Sequence, residues 1–195
     1  MISLKQPALA VNSCDVPGPD YTMWDTWDAP EGTSAADLVA RTIASQIRAT
    51  TQGKRLVNLV INCHGYPGGL WIGGRNSNAD SLNTNNVSTL AALKLFHIST
   101  IWLVACNAAL DNWAKSFCKL MAQTTGAQVV AAEDEQEVGF WDGAKLVLHE
   151  PTIDTDSPSV VYKGEIDEFE GTTYLFEPTG HFFLYDEDMV RGVEE

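Results

Sequence analysis

A histidine and a cysteine each stand just beyond an apolar run that is typical of a buried strand. The first run extends from Leu56 to Asn62 and leads through Cys63 to His64, and the second extends from Ile101 to Val104 and leads to Cys106. Imidazole exchanges a proton near neutral pH, and a cysteine thiolate is the best nucleophile among the common side chains. If the two runs are neighbouring parallel strands, their carboxyl ends bring a base and a thiol together at one rim of a sheet, which points to an enzyme.

The residues around these two side chains favour acyl-transfer chemistry. Cys106 precedes a predicted helix, and the positive end of a helix dipole stabilises a thiolate. His64 would take the thiol proton or give a proton to a leaving amine. Gly65 has no Cβ, so its N–H can approach a substrate oxygen and, with the N–H of Cys106, form an oxyanion hole worth roughly 3 to 4 kcal/mol per donor. The alternatives are a cysteine of the core and a His-Gly turn.

The elements that would position these residues alternate along the chain. Strands are predicted at Ala8–Cys14, Leu56–Cys63, Ile98–Ala105 and Ala127–Ala132. Helices are predicted at Ser34–Thr50, Val87–Phe96 and Leu110–Thr125, and loops at Asp15–Thr33 and Arg75–Asn86. The strands are apolar on both faces, which is typical of a parallel sheet covered by helices. The pattern therefore predicts the α/β class, with a mostly parallel central sheet and helices on both faces.

After Glu133 the alternation of strands and long helices stops. Short strand-like segments follow, at Lys145–His149, Val160–Lys163, Thr172–Glu177 and His181–Asp186, and the last two are separated by a turn. They predict a small antiparallel addition that either continues the main sheet or folds back over one of its edges. The 195 residues are interpreted as a single domain over 1–195, with an α/β core at 1–135 and a β-rich extension at 136–195.

Composition excludes several kinds of partner. The net charge is −14, with 26 acidic and 12 basic residues, so nucleic-acid binding is not expected. The acidic surface would favour a basic peptide as partner, or it is simply a solvated face that keeps the protein soluble. No secretory signal and no apolar run long enough for a membrane span is apparent, which favours a cytoplasmic protein or export by a signal-less route. The four cysteines lack Cys-x-x-Cys spacing, so we expect reduced thiols, no metal and no cofactor.

Two segments of the chain, LVNLVINCHGYPGG and STIWLVACNAA, resemble the paired motifs of caspase-like cysteine peptidases of clan CD. Residues 57–132 are also similar to a caspase-like domain of large bacterial surface proteins. There, a His-Gly-x-Pro-Gly-x-Leu segment precedes a strand ending in Cys-Asn and a later Thr-Gly-Ala turn, which correspond to His64–Leu70, Cys106-Asn107 and Thr125–Ala127. The resemblance implies a bacterial thiol protease with Cys106 as nucleophile, His64 as general acid and base, and Gly65 as oxyanion donor.

Four further residues are candidates for the wall of a substrate cleft: Asp15, Trp71, Glu133 and Asp134. A carboxylate there would suit a basic side chain of a substrate, and the alternative is an ordinary exposed carboxylate or rim packing. Two functions remain open at this point. One is a cysteine endopeptidase-like hydrolase that acts on a peptide or protein through a His64/Cys106 dyad, with self-processing as one form. The other is a catalytically inactive caspase-like interaction module.

Overall fold

A seven-stranded mixed sheet, with helices packed against it, organises the described part of the chain. The computed structural model describes residues 1–16, 20–75, 81–134, 140–142, 145–147, 162–166 and 168–193. The α/β class predicted from the sequence is confirmed. None of the helices in these ranges is long and apolar enough to cross a membrane.

The elements of the first half of the chain follow in this order: β1 (Ile2–Ser3), β2 (Ala8–Ser13), β3 (Tyr21–Thr22), β4 (Asp25–Ala29), α1 (Ala35–Thr51), β5 (Asn58–Asn62), β6 (His64–Tyr66), β7 (Gly69–Trp71), β8 (Ser81–Asn83) and a 3₁₀ helix (Val87–Phe96). Those of the second half are β9 (Thr100–Val104), α2 (Asn112–Thr125), β10 (Gln128–Ala132), β11 (Phe140–Asp142), β12 (Lys145–Val147), β13 (Tyr162–Lys163), β14 (Glu165–Ile166), β15 (Thr173–Phe176), β16 (Phe182–Leu184) and a short 3₁₀ helix (Glu187–Met189).

The main sheet has the strand order β16-β15-β10-β9-β5-β2-β4. Neighbouring strands from β10 to β4 are parallel, and β15 and β16 continue the sheet in the antiparallel direction. The predicted C-terminal hairpin thus extends the sheet. Parts of the predicted strands Lys145–His149 and Val160–Lys163 lie outside the described residues.

The two long α-helices and the 3₁₀ helix Val87–Phe96 share one face of the sheet. Leu38, Leu90 and Phe117, one from each helix, belong with Leu59 and Ile101 of the sheet to one buried cluster, which we call the helix-side core. The opposite face is covered by segments near the two ends of the described chain, and we call its cluster the terminal-side core; it contains Ile2, Val60, Trp102 and Val190. The prediction of helices on both faces is therefore wrong for the described residues.

The direction of the crossovers explains this one-sided layer. The connections from β4 to β5, from β5 to β9 and from β9 to β10 all advance the same way across the sheet. Right-handed crossovers that advance in one direction place their helices on the same face. The connection from β2 to β4 advances the opposite way, and its Tyr21 and Met23 accordingly lie in the terminal-side core.

Local signals set the ends of the helices. Ser34 caps α1 through a reciprocal pair of hydrogen bonds with Asp37, as the sequence predicts. The side chain of Asp111 accepts from the second and third backbone N–H groups of α2, so α2 begins at Asn112 instead of the predicted Leu110. It ends at Gly126, which has a φ of 72°.

Two segments predicted as loops contain strands. The predicted loop Asp15–Thr33 holds β3 and β4, and the predicted loop Arg75–Asn86 holds β8, which forms a three-stranded sheet with β6 and β7. The β4 sequence, Asp-Thr-Trp-Asp-Ala, lacks a continuous apolar run because the strand lies at the edge of the main sheet. His64 is the first residue of β6, two residues beyond the end of β5.

Candidate active site

His64 and Cys106 follow the carboxyl ends of two strands that pair directly. The parallel register of β5 and β9 aligns Asn62 with Val104, and His64 and Cys106 are each two residues further along. Neighbouring strands lie about 4.8 Å apart. The structure therefore places the base and the thiol predicted from the sequence at one edge of the sheet, after adjacent strands.

Strand alternation separates the two dyad residues from the residues before them. Cys63 and Ala105 both belong to the helix-side core and are buried, whereas His64 and Cys106 are half-buried. Burial raises the pKa of the Cys63 thiol, and the negative charge of Asp15 adds to this effect. Cys63 therefore stays a neutral thiol behind the site, on the side away from His64, as the sequence predicts.

The backbone of Gly65 lies against the backbone of Cys106. A Cβ added to Gly65 would overlap the carbonyl oxygen of Cys106 and lie 3.1 Å from the Cβ of Ala105. The His-Gly segment and the Cys segment are therefore in close contact at this point. It gives a physical reason for glycine at position 65, because any side chain there would push the two segments apart.

Both nitrogens of the His64 imidazole are hydrogen-bonded. Nε2 lies 3.0 Å from the backbone carbonyl oxygen of Asp15, and a guanidinium N–H of Arg75 donates to Nδ1 at 2.6 Å. Because arginine can only donate, Nδ1 accepts and Nε2 carries the proton that is donated to Asp15. The side chain of His64 is 12% exposed, so most of the ring is covered by its neighbours and a small part reaches solvent.

Asp15, a predicted wall residue, is engaged by its neighbours. Its carboxylate accepts from the hydroxyl of Ser13 at 2.9 Å and from the backbone N–H of Arg75 at 2.9 Å. The same carboxylate lies 3.9 Å from Nε2 of His64. The structure thus brings Asp15 to the imidazole, where it holds both the ring and the backbone of Arg75.

Glu133 and Asp134, the other predicted acidic wall residues, follow β10 on the opposite side of β9 from His64. The carboxylate of Glu133 lies 3.4 Å from Nζ of Lys115 and accepts from the hydroxyl of Tyr174 at 3.1 Å. The backbone carbonyl of Asp134 accepts from the N–H of Asn107 at 3.0 Å. These contacts fasten the turn that follows Cys106 to the end of β10.

Aromatic side chains lie on and against the β6–β7 hairpin, which begins with His64. Trp71, the fourth predicted wall residue, is paired with His64 across the β6–β7 hairpin. Its ring lies 4.5 Å from that of Tyr66 between centroids. At the turn of the hairpin, a Cβ on Gly68 would lie 3.1 Å from the indole of Trp113, which is 60% exposed on the first turn of α2. Tyr66 and Trp113 are rim residues that sequence reasoning missed.

Arg75 is the second group that sequence reasoning missed. It is a single arginine at the start of a polar, Asn-rich segment, and no periodicity or motif sets it apart. The preceding residues bring it to the site: the carbonyl of Gly73 accepts from the N–H of Gly32 at 3.0 Å, and a Cβ on Gly73 would overlap the backbone of Thr33. Within the described ranges no group of three His, Cys, Asp or Glu side chains could hold a metal ion.

Comparisons with known proteins give a family. No curated protein and no solved structure matches the chain significantly. A protein-family model matches residues 34–170, a span that includes α1, β5, β9 and both members of the candidate dyad. The chain therefore belongs to the family described as Domain of unknown function (DUF4347).

Proposed function

We propose that the chain is a cysteine endopeptidase-like hydrolase that acts on a peptide or protein substrate, with Cys106 as nucleophile and His64 as general acid and base. The observation that carries the proposal is the close approach of the His64-Gly65 segment to the backbone of Cys106. The direct parallel pairing of β5 with β9 supports it, because that pairing presents both side chains at the carboxyl edge.

The reaction follows from the groups present. The thiolate of Cys106 attacks the carbonyl carbon of a peptide bond, so that an S–C bond forms and the carbonyl oxygen becomes an oxyanion. Backbone N–H groups of Gly65 and Cys106 are the proposed donors to that oxygen. The C–N bond then breaks, and the amine leaves with a proton from the imidazolium of His64. Water, deprotonated by His64, cleaves the thioester to release a carboxylic acid and restore the thiol.

A caspase-like architecture is part of the proposal. It is supported by two motifs, His64-Gly65 after β5 and Cys106-Asn107 after the next strand along the main sheet. Asn107 has a left-handed φ of 56°, so the chain turns sharply directly after the thiol. Self-processing is one form that this activity could take, and a change in intact mass during storage that Cys106→Ala abolishes would support it.

Covalent labelling tests the dyad. A panel of peptidyl acyloxymethyl ketones should modify Cys106, and His64→Ala should slow that reaction roughly 10²- to 10⁴-fold. Cys14 is the other exposed or half-buried thiol, whereas Cys63 and Cys118 are buried, so Cys14→Ala is the matched control and should leave the labelling unchanged. Modification at Cys14 alone, or labelling of Cys106 that His64→Ala does not slow, would contradict the mechanism.

A catalytically inactive interaction module is the second candidate. The observation that favours it is the engagement of both imidazole nitrogens, by Asp15 and by Arg75, which leaves no ring nitrogen open to the thiol in this arrangement. A partner retained equally by the wild-type chain and by Cys106→Ala, without cleavage, would favour this function.

A further inference from the structure

Arg75 occupies the one nitrogen of His64 that can become available for proton transfer. The acceptor at Nε2 is the backbone carbonyl of Asp15, at 3.0 Å. That carbonyl is part of the backbone two residues beyond the end of β2, so it cannot turn away without moving the chain. The donor at Nδ1 is the end of a long and exposed side chain. If the imidazole is to exchange a proton with a thiol or a leaving amine, it is Arg75 that must release it.

The backbone of Arg75 is held while its side chain is not buried. Its N–H donates to the carboxylate of Asp15 at 2.9 Å, and Gly73 packs against the backbone of Thr33. The guanidinium can therefore swing about a fixed anchor.

A carboxylate is the ligand chemistry that would draw the guanidinium away. A neutral imidazole nitrogen offers arginine a single acceptor, whereas a carboxylate offers two oxygens in a matching fork and a full negative charge. The carboxylates of Asp15 and Glu133 are already engaged, the first by Ser13 and the backbone of Arg75, the second by Lys115 and Tyr174. Beside His64 the described site therefore presents two charged groups, the carboxylate of Asp15, which accepts from Ser13 and from the backbone of Arg75, and the exposed guanidinium of Arg75, which is the group able to bind a carboxylate.

We propose that Arg75 binds a carboxylate group of the substrate and that, in the substrate-free site, the same guanidinium caps Nδ1 of His64. Substrate binding would then release the base, so that recognition and activation are one event. The activation half of this inference rests on the proposed peptidase function, whereas the binding half requires only the site geometry. Arg75 is on this view a specificity-determining residue, because an acidic substrate both binds it and uncaps the ring.

Alkylation of Cys106 with a charged and a neutral reagent tests whether the guanidinium of Arg75 lies at the site. In a Cys14→Ala background, the ratio of the iodoacetate rate to the iodoacetamide rate at Cys106 reports the local charge. Arg75→Gln should lower this ratio roughly three- to tenfold, and Arg75→Lys should retain part of it. Arg55→Gln, an exposed arginine before the amino end of β5, makes the same charge change at the opposite edge and should leave the ratio unchanged. An unchanged ratio in Arg75→Gln overturns the proposal.

The neutral reagent also separates this inference from the proposed function. Iodoacetamide should react several-fold faster with Cys106 in Arg75→Gln than in the wild type, because Nδ1 is uncapped, and His64→Ala should abolish that gain. If His64→Ala has no effect on this rate in any background, the proposed catalytic dyad is contradicted. The ratio of the iodoacetate rate to the iodoacetamide rate then still decides whether the guanidinium of Arg75 lies at the site. If the rate depends on His64 but not on Arg75, the dyad stands and the cap is overturned.

The imidazole itself gives a readout that does not depend on the thiol. The ¹⁵N chemical shift of Nδ1 of His64 should move when the wild-type chain is titrated with N-acetyl-glutamate methylamide. The isosteric N-acetyl-glutamine methylamide should not move it, and neither compound should move it in Arg75→Gln. No response to the acidic compound, or an equal response to both compounds, overturns the proposal.

Discussion

The strands β5 and β9 carry polar side chains at both ends, and the two edges of the sheet hold them differently. At the amino edge, Asn58 and Thr100 are 0% exposed. The amide of Asn58 donates to the carbonyls of Lys5 at 2.9 Å and Gly192 at 2.8 Å, and it accepts from the indole N–H of Trp102 at 3.0 Å. This edge is closed by segments near both ends of the described chain.

The carboxyl edge is open by comparison. His64 and Cys106 are half-buried, and the group that caps His64 is the exposed side chain of Arg75. The amino edge teaches that polar residues at strand ends can serve stability alone when all their hydrogen bonds are made within the protein. Polar residues that remain within reach of solvent and of a movable partner are the ones available for chemistry.

The largest effect that would sharpen this comparison is a loss of reactivity with only a small loss of stability. His64→Ala should lower the labelling rate of Cys106 by roughly 10²- to 10⁴-fold. The free energy of unfolding should fall by at most about 1 to 2 kcal/mol, because both hydrogen-bond partners of the ring, Asp15 and Arg75, are exposed and can bond to water when the ring is removed. Labelling kinetics and urea denaturation measure the two quantities. A loss of stability that accounts for the loss of labelling would make His64 a structural residue like Asn58.

The converse substitution should act on stability alone. Asn58→Ala leaves the indole N–H of Trp102 and two backbone carbonyls without their buried partner, which should cost roughly 3 to 5 kcal/mol in the free energy of unfolding. The labelling rate of the folded protein at Cys106 should stay within about threefold of the wild type. Asn85→Ala, whose side chain is exposed, is the matched control and should change the stability by less than about 0.5 kcal/mol. Equal losses in the two variants would remove the distinction between the edges.

The residues that end the strands could be predicted because their signals are local. Continuous apolar runs mark strands buried on both faces, and the residues just beyond them are read directly from the chain. Placing His64 and Cys106 at the same edge then needed only the rule that such strands are parallel. Their chemical roles remain predictions.

The one-sided helix layer and the cap on His64 depend on information that is not local. Which face a helix covers follows from strand order, and β2 lies between β4 and β5 without any sequence signal for that position. Arg75 reaches the imidazole because Gly73 packs against a loop some 40 residues earlier in the chain, around Thr33. Asp15 was a candidate for the wall of a substrate cleft, with an ordinary exposed carboxylate as the alternative, and its hydrogen bond with the backbone of Arg75 could not be foreseen.

An intermediate effect is expected at the contact that joins the two motifs. Gly65→Ala places a methyl group on the carbonyl oxygen of Cys106, so the segments must separate, with a cost of about 2 kcal/mol in the free energy of unfolding and a slower labelling of Cys106. Gly53→Ala is the control: Gly53 has a φ of 67° and nothing within 4 Å of the added Cβ. It should cost about 1 kcal/mol through backbone strain and leave the labelling unchanged. Indistinguishable labelling rates in the two variants would contradict the contact.

The smallest effect concerns the thiols that lie on the helix side of the sheet. Burial raises the pKa of Cys63 and of Cys118. In the unfolded chain such thiols ionise near pH ~8.5, whereas in the folded protein they stay protonated at that pH. Above this pH the folded state binds more protons than the unfolded state, so the free energy of unfolding should fall as the pH rises, by about 1.4 kcal/mol per pH unit for each thiol.

Urea denaturation between about pH 9 and 10 measures this slope below the range of Tyr185, whose pKa burial raises to about 12. Cys63→Ala should remove one of the two contributions to the slope. The cavity left by the substitution can change the free energy of unfolding itself, but it does not change the slope because it binds no proton. Cys14→Ala, at an exposed thiol, should leave the slope unchanged. If Cys63→Ala leaves it unchanged as well, Cys63 ionises as freely as a surface thiol. The carboxyl edge would then present two reactive cysteines instead of one, and labelling at Cys106 alone could no longer be attributed to its partnership with His64.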